Sequence, residues 1–365
     1  MNASNRRGVL QLQHILWFSF LLWGVVSVIS NIRALKYDTA AISRALSLSG
    51  ENQVRDKLPS VACFFMIRKT SLTEATSVRY SNWGKRCTYF VIFSNGVAGG
   101  EQLLDGNTAL VDIHHAIEDE FRERAGNAEA ELKFASVLEA AEYSTYTTFP
   151  TDQNEIKDYL ALKSFYSWMY MARKYSDRVD YVMKADPDTY MLMDNYLDYL
   201  SEYYSPMHPV YIGRVFKTDG NINDPFVTGL STTLSKATLK LLLSRSTIRS
   251  DHDGNPECSA QRFRLGREAD DHALAQCLRS MGVYPAYTRD EFGREMFLHF
   301  SPSQHYNGGD KEPKWHLNFS FTPYSHKKGC CSSKACAFHY VDIEKQNATL
   351  YWSDFTHAWH WKRNG

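Results

Sequence analysis

The chain has 365 residues, room for one large domain or two small ones. Its 41 Lys and Arg balance 41 Asp and Glu, so composition gives no reason to expect a nucleic acid or a strongly acidic partner. Aromatic residues reach 14%, which suits a large apolar core first and a sugar-binding cleft lined by flat rings second.

Residues 15–29 carry no charge, and the apolar character extends back to Val9, giving a segment of roughly 20 residues, about what a bilayer requires. A cleaved leader and an uncleaved anchor compete for this segment. Val-Ser-Val-Ile-Ser-Asn is a mediocre cleavage site, and Arg6, Arg7, Arg33 and Lys36 bound the run, which favours the anchor. The expected order is a cytosolic tail at 1–8, a signal-anchor at 9–30, a polar stem at 31–58 and a lumenal domain at 59–365. A short span suits the thinner membranes of the early secretory pathway.

Seven cysteines follow: Cys63, Cys87, Cys258, Cys277, Cys330, Cys331 and Cys336. An oxidising lumen should pair most of them, and an odd number leaves at least one over. No Cys-x-x-Cys pair occurs, so a structural zinc site is not expected. Asn318-Phe-Ser and Asn347-Ala-Thr are glycosylation acceptors in the lumenal part.

Val61–Ile67 and Tyr89–Phe93 are continuous apolar runs, as buried parallel strands require. Residues 71–82 read as a helix, and 94–130 are less regular. From Glu155 to Tyr175 apolar side chains recur at helical spacing, with Arg173 and Lys174 in the last turn. Strands follow at 179–184 and 210–213, and helices at 235–245 and 269–281. The alternation predicts an α/β domain with a mostly parallel sheet.

The chemistry concentrates in two places. Lys184-Ala-Asp186-Pro-Asp188-Thr-Tyr190 leaves a buried strand, where open α/β sheets bind ligands. Two carboxylates one residue apart can share a divalent cation such as Mg²⁺ or Mn²⁺, although Asp-x-Asp triplets also arise by chance. Glu268-Ala-Asp270-Asp271 opens a helix; the dipole alone accounts for acids there, and a general base is the alternative. Among the later histidines (His299, His305, His316, His326 and His339) none is convincing unaided.

These segments together resemble glycosyltransferase family 31, and within it the core 1 β1,3-galactosyltransferase group. Asn82-Trp-Gly-Lys-Arg-Cys87 is similar to the family's Thr-Trp-x-x-Arg-Cys, and Lys184–Tyr190 to Lys-Ala-Asp-Asp-Asp-Thr-Tyr. Tyr211–Lys217, Leu234-Ser-Lys236, Asp270–Cys277, Gly293-Arg-Glu295, and Gly329–Ser332 with Phe338–Asp342 continue the series in order. The resemblance implies a GT-A (Rossmann-like) fold, a type II Golgi membrane protein, Mn²⁺, UDP-galactose as donor and inversion at the anomeric carbon. The implied acceptor is N-acetylgalactosamine α-linked to Ser or Thr, and a homodimer is a further expectation. By position in the motifs, Asp271 is the implied base, and Asp186 and Asp188 the metal ligands. Lys184, Asp186 and Arg214 are the implied donor contacts, and Trp83 and Arg86 pack and position.

There are departures. Pro187 replaces a middle acid, and His272 stands where the pattern has Leu. Thr228-Gly-Leu-Ser-Thr232 replaces a glycine-rich segment, which could narrow the site. The family's Phe-His-Pro-Phe aligns with Phe297-Leu-His-Phe300, putting the third ligand at His299, one position displaced. Cys336 is the candidate for the odd thiol. Two alternatives stand beside the galactosyltransferase reading. One is a family 31 transferase with another donor or acceptor. The other is an inactive, chaperone-like relative.

Overall fold

The computed structural model describes residues 58–95, 97, 99–125, 157–247, 255–265, 269–307, 314–322 and 330–342. The expected tail, the membrane segment 9–30, the stem up to 57 and the acceptor Asn347 lie outside the described residues. Among the described residues no helix is long and apolar enough to cross a membrane.

β1 (Val61–Met66) is buried along nearly its whole length. Its side chains alternate, Val61, Cys63 and Phe65 entering one apolar cluster and Ala62 and Phe64 the other. A strand with core on both faces needs an unbroken apolar run, which is what the sequence supplies. β2 (Tyr89–Ser94), β4 (Thr108–Asp112) and β5 (Tyr181–Ala185) have the same character. With β3 (Glu101–Asp105), β7 (Tyr211–Ile212) and β10 (Ser231–Ser235) they form a seven-stranded sheet ordered β3-β4-β2-β1-β5-β10-β7. β4, β2, β1 and β5 are mutually parallel; β3 and β10 run against their neighbours.

One face of the sheet is covered by α2 (Ile113–Ala125), α3 (Lys157–Tyr175), α5 (Lys236–Arg245), α6 (Ala260–Leu265) and α7 (Asp270–Ser280). Phe64 meets Trp168 of α3 edge to face at 4.8 Å. The other face carries α1 (Leu72–Ser81), α4 (Met193–Tyr203) and a small sheet of β6 (Tyr190–Met191), β11 (Phe297–Leu298) and β12 (Ala337–Phe338). β8 (Val215–Thr218) and β9 (Asn221–Val227) pair as a separate hairpin. Shorter helices α8 (Pro302–Asn307) and α9 (Lys314–Phe319) follow β11.

The described residues of the irregular stretch 94–130 include the β3–β4 hairpin and α2. β3 is an edge strand with exposed Leu103, so it shows no clean alternation; Gly106-Asn107 makes the tight two-residue connection. Disulfides join Cys63 to Cys87, Cys258 to Cys277 and Cys330 to Cys331, and Cys336 is the free, buried thiol.

The strand order locates the crevice. From β1 the chain steps outward to β2 and β4, then returns to β5 on β1's other side. The order reverses between β1 and β5, and at such a point a ligand crevice opens beyond the carboxyl ends. Asp186 is the first residue past β5.

Candidate active site

Asp186-Pro187-Asp188-Thr189 forms a turn closed by the Thr189 N–H on the Asp186 carbonyl, 2.9 Å. Pro187 occupies the second position, where its fixed φ pre-shapes such turns. The proline therefore stiffens the turn while an acid stands on either side of it. The turn is held from three directions. The Trp83 indole N–H donates to the Thr189 carbonyl at 2.9 Å. The Thr189 hydroxyl donates to the Leu230 carbonyl at 2.6 Å, and the Val341 N–H to the Asp188 carbonyl at 2.9 Å. Trp83 thus positions the acids, as the sequence suggested. Arg86 pairs with Asp194 at 2.6 Å, away from the acids.

The imidazole beside the two acids is His339. Its Nε2 lies 3.2 Å from Asp188 Oδ1 and 3.7 Å from Asp186 Oδ2. The expectation for the third ligand was His299, and the small sheet explains the difference. β12 pairs antiparallel with β6, Phe338 opposite Tyr190, so the chain beyond Phe338 runs back past Asp188. β11 lies on β12's far side, in parallel register. His299 therefore sits one strand further out, its ring 5.4 Å from that of His339. It is buried among Phe216, Phe300 and His316. Burial and its imidazole neighbours hold its pKa far below the ordinary value, so it is neutral at physiological pH. Phe338-His339-Tyr340 was visible in the sequence, but nothing local distinguished His339 from four other histidines. Tyr340, with φ +54°, makes the bend that lets its neighbour face the acids, and its ring stacks on His339 at 4.2 Å.

Behind the turn, the Lys184 ammonium is buried and lies 2.8 Å from Asp270 Oδ2 and 3.9 Å from Asp186 Oδ1. Burial opposes its charge, but Asp270, Asp186 and Asp271 outweigh that and raise its pKa. Asp271 is anchored by two backbone donors, His272 N–H on Oδ1 at 2.8 Å and Gly229 N–H on Oδ2 at 3.2 Å. Burial, and next the Asp270 carboxylate, push its pKa up to about 7. Asp186 is likewise raised, first by burial. Asp188 faces the same burial penalty, yet its hydrogen bond to His339 brings it below the usual range.

Four carboxylates thus share one lysine and one imidazole. Such a surplus of negative charge in a half-buried crevice is what a divalent cation offsets. Asp186, Asp188 and His339 each offer a ligand atom, all within 4.8 Å of one another. Oxygen-rich sets with one imidazole suit Mg²⁺ or Mn²⁺. Among the described residues, His305 with Cys330 and Cys331 is the other such grouping, and there the two sulfurs are already bonded to each other.

Arg214 is 1% exposed, and its guanidinium pairs with Glu295 and donates to the Ser320 hydroxyl. In the segment Thr228–Thr232, Leu230 and Ser231 are fully buried, and Gly229 is the residue against Asp186 and Lys184. A Cβ there would stand 3.3 Å from Asp186 Oδ2 and 3.6 Å from Lys184 Nζ.

A largely parallel α/β sheet whose switch-point strand ends in an Asp-x-Asp turn is compatible with the GT-A class of glycosyltransferases. Over 204 residues the chain is 28% identical to glycoprotein-N-acetylgalactosamine 3-beta-galactosyltransferase 1 of Xenopus laevis. The match covers 54% of this chain and 51% of that protein, so the chain spans about half the length of the curated relative it matches. The similarity agrees with the motif resemblance to the core 1 galactosyltransferase group of family 31. No protein-family profile matches the chain.

Proposed function

We propose that the chain is a metal-dependent, inverting glycosyltransferase that moves galactose from UDP-galactose to N-acetylgalactosamine on Ser or Thr, giving Galβ1-3GalNAc. The observation carrying this reading is the convergence of Asp186, Asp188 and His339 beside the anchored carboxylate of Asp271. Asp186, Asp188 and His339 would hold the Mn²⁺, whose Lewis acidity offsets charge on the departing diphosphate. Asp271 takes the proton from the attacking hydroxyl of the acceptor, so that the oxygen forms its bond to the anomeric carbon on the face opposite the UDP. A carboxylate with its pKa near neutrality suits that task. Lys184 pairs with Asp270 beside the base. A type II anchor at 9–30, a Golgi location and pairing into a homodimer complete the reading and rest on the motif resemblance.

The test is turnover of UDP-galactose with a GalNAc-bearing peptide, with and without Mn²⁺, for wild type and Asp188→Ala. Metal-dependent product that the substitution abolishes supports the proposal. Correctly folded protein that neither binds UDP with Mn²⁺ nor makes product sinks it and leaves the chaperone-like alternative. Turnover with a different UDP-sugar or acceptor instead would shift the specificity and keep the class.

A further inference from the structure

His272 follows Asp271 on α7 but turns the other way. Its Nε2 lies 2.8 Å from Asp224 Oδ2 and 3.1 Å from Thr218 Oγ1, both on the β8–β9 hairpin. A carboxylate only accepts, so the proton sits on Nε2. Two turns along the same helix face, Arg279 pairs with the same Asp224 and donates to the Pro225 carbonyl at 2.7 Å. One carboxylate of β9 therefore clamps α7 at two levels. Burial opposes the charge of Asp224, but Thr218, His272 and Arg279 more than offset it and lower its pKa. Phe226 closes the pair from the side, its ring edge-on to His272 at 5.4 Å.

The clamp bears on Asp271 through one of its two anchors. The N–H on Oδ1 belongs to His272 itself and travels with Asp271 on α7, whereas the N–H on Oδ2 belongs to Gly229, two residues beyond the end of β9. A slide of α7 along β9 would alter the Gly229 hydrogen bond and turn the carboxylate. Leucine, the residue of the resembled pattern at this place, cannot reach a carboxylate with a donor. An acidic partner at Asp224 and a donor at His272 are present together here.

We propose that His272 is a positioning residue, whose hydrogen bond to Asp224 fixes the direction of the Asp271 carboxylate for proton removal. The proposal rests on the reading of Asp271 as the base.

The experiment compares the full chain with Asp271→Asn, His272→Leu, His272→Gln and Asp224→Asn, in turnover of UDP-galactose and GalNAc-peptide. Calorimetric UDP binding with Mn²⁺ serves as the check on folding. A misaligned reacting group costs up to about a hundredfold, so His272→Leu should lower kcat by about tenfold or more, with KM for UDP-galactose within about twofold. His272→Gln, which keeps a donor, should recover most of that loss. Asp224→Asn should fall between the two. Wild-type kcat in His272→Leu overturns the proposal, as does a loss that the glutamine fails to recover while UDP binding is intact. If Asp271→Asn keeps full activity, the base assignment itself is wrong. If Asp271→Asn is inactive while His272→Leu is normal, only the positioning role falls.

Discussion

Asp271 is the residue on which activity and stability pull apart. Its folded pKa, pushed up to about 7, lies above that of an unfolded aspartate. A raised folded pKa gives stability that is fully present below the unfolded value and lost as pH rises through the folded one. The protein should therefore lose stability through this group between about pH 4 and pH 7. Asp271→Asn removes that dependence, so its unfolding midpoint should gain on the wild type as pH rises across the window. Activity should do the opposite. kcat/KM should climb through the same range as the carboxylate ionises, and Asp271→Asn should lose about a hundredfold to ten-thousandfold above about pH 7, with the gap narrowing as pH falls. His339→Ala should weaken Mn²⁺-dependent UDP binding in calorimetry, whereas His299→Ala should act mainly through packing, lowering the midpoint with less effect on the cation. Equal effects on the cation from both would contradict the register of β11 and β12.

At the scale of elements, the acids are presented by neighbours rather than by β5 alone. Trp83 lies before β2, yet its indole caps the Thr189 carbonyl. Trp83→Phe keeps the ring and leaves that buried carbonyl without its donor, a loss of about 1–3 kcal/mol by equilibrium unfolding. Gly229 is constrained by space: a Cβ would crowd Asp186 and Lys184. Gly229→Ala should raise the Mn²⁺ concentration needed for half-maximal activity while leaving the unfolding midpoint nearly unchanged. Gly213 is constrained by the backbone, with φ +150° and a Cβ position 2.1 Å from the Ser231 carbonyl oxygen. Gly213→Ala should fail to accumulate as folded protein, since β7 and β10 would have to separate. The strands of the large sheet's centre were legible because each is locally apolar. The β8–β9 hairpin, with its exposed polar half, and the two-residue strands of the small sheet carry no such signature.

Among the described residues of the unit Arg55–Gly365, disulfides and the buried Arg214–Glu295 ion pair hold the scaffold together. Cys258–Cys277 spans 19 positions and fastens α7, which carries Asp271, to the segment before α6. Replacing both cysteines by serine should cost about 3 kcal/mol, read as a lowered denaturation midpoint. Glu295 and Arg214 are both buried and paired, and Glu295 also accepts from the Thr288 hydroxyl at 2.8 Å. Glu295→Ala would strand the guanidinium in the interior, at a cost of about 3–5 kcal/mol.

The buried strands β1, β2 and β5 and the Asp-x-Asp turn at the end of β5 were determined by the sequence itself. Apolar runs, periodicity and proline act over a few residues and need no partner to be read. The odd thiol, Cys336, was legible for a similar reason, as a cysteine where an apolar residue was expected. The rest depended on which distant segments meet. His339 rather than His299 reaches the acids because β12, not β11, lies against β6, and a ladder between residues far apart in the chain leaves no local trace. Arg214 is withdrawn into the core because Glu295 waits there, 81 positions away, and only the folded chain brings the two together.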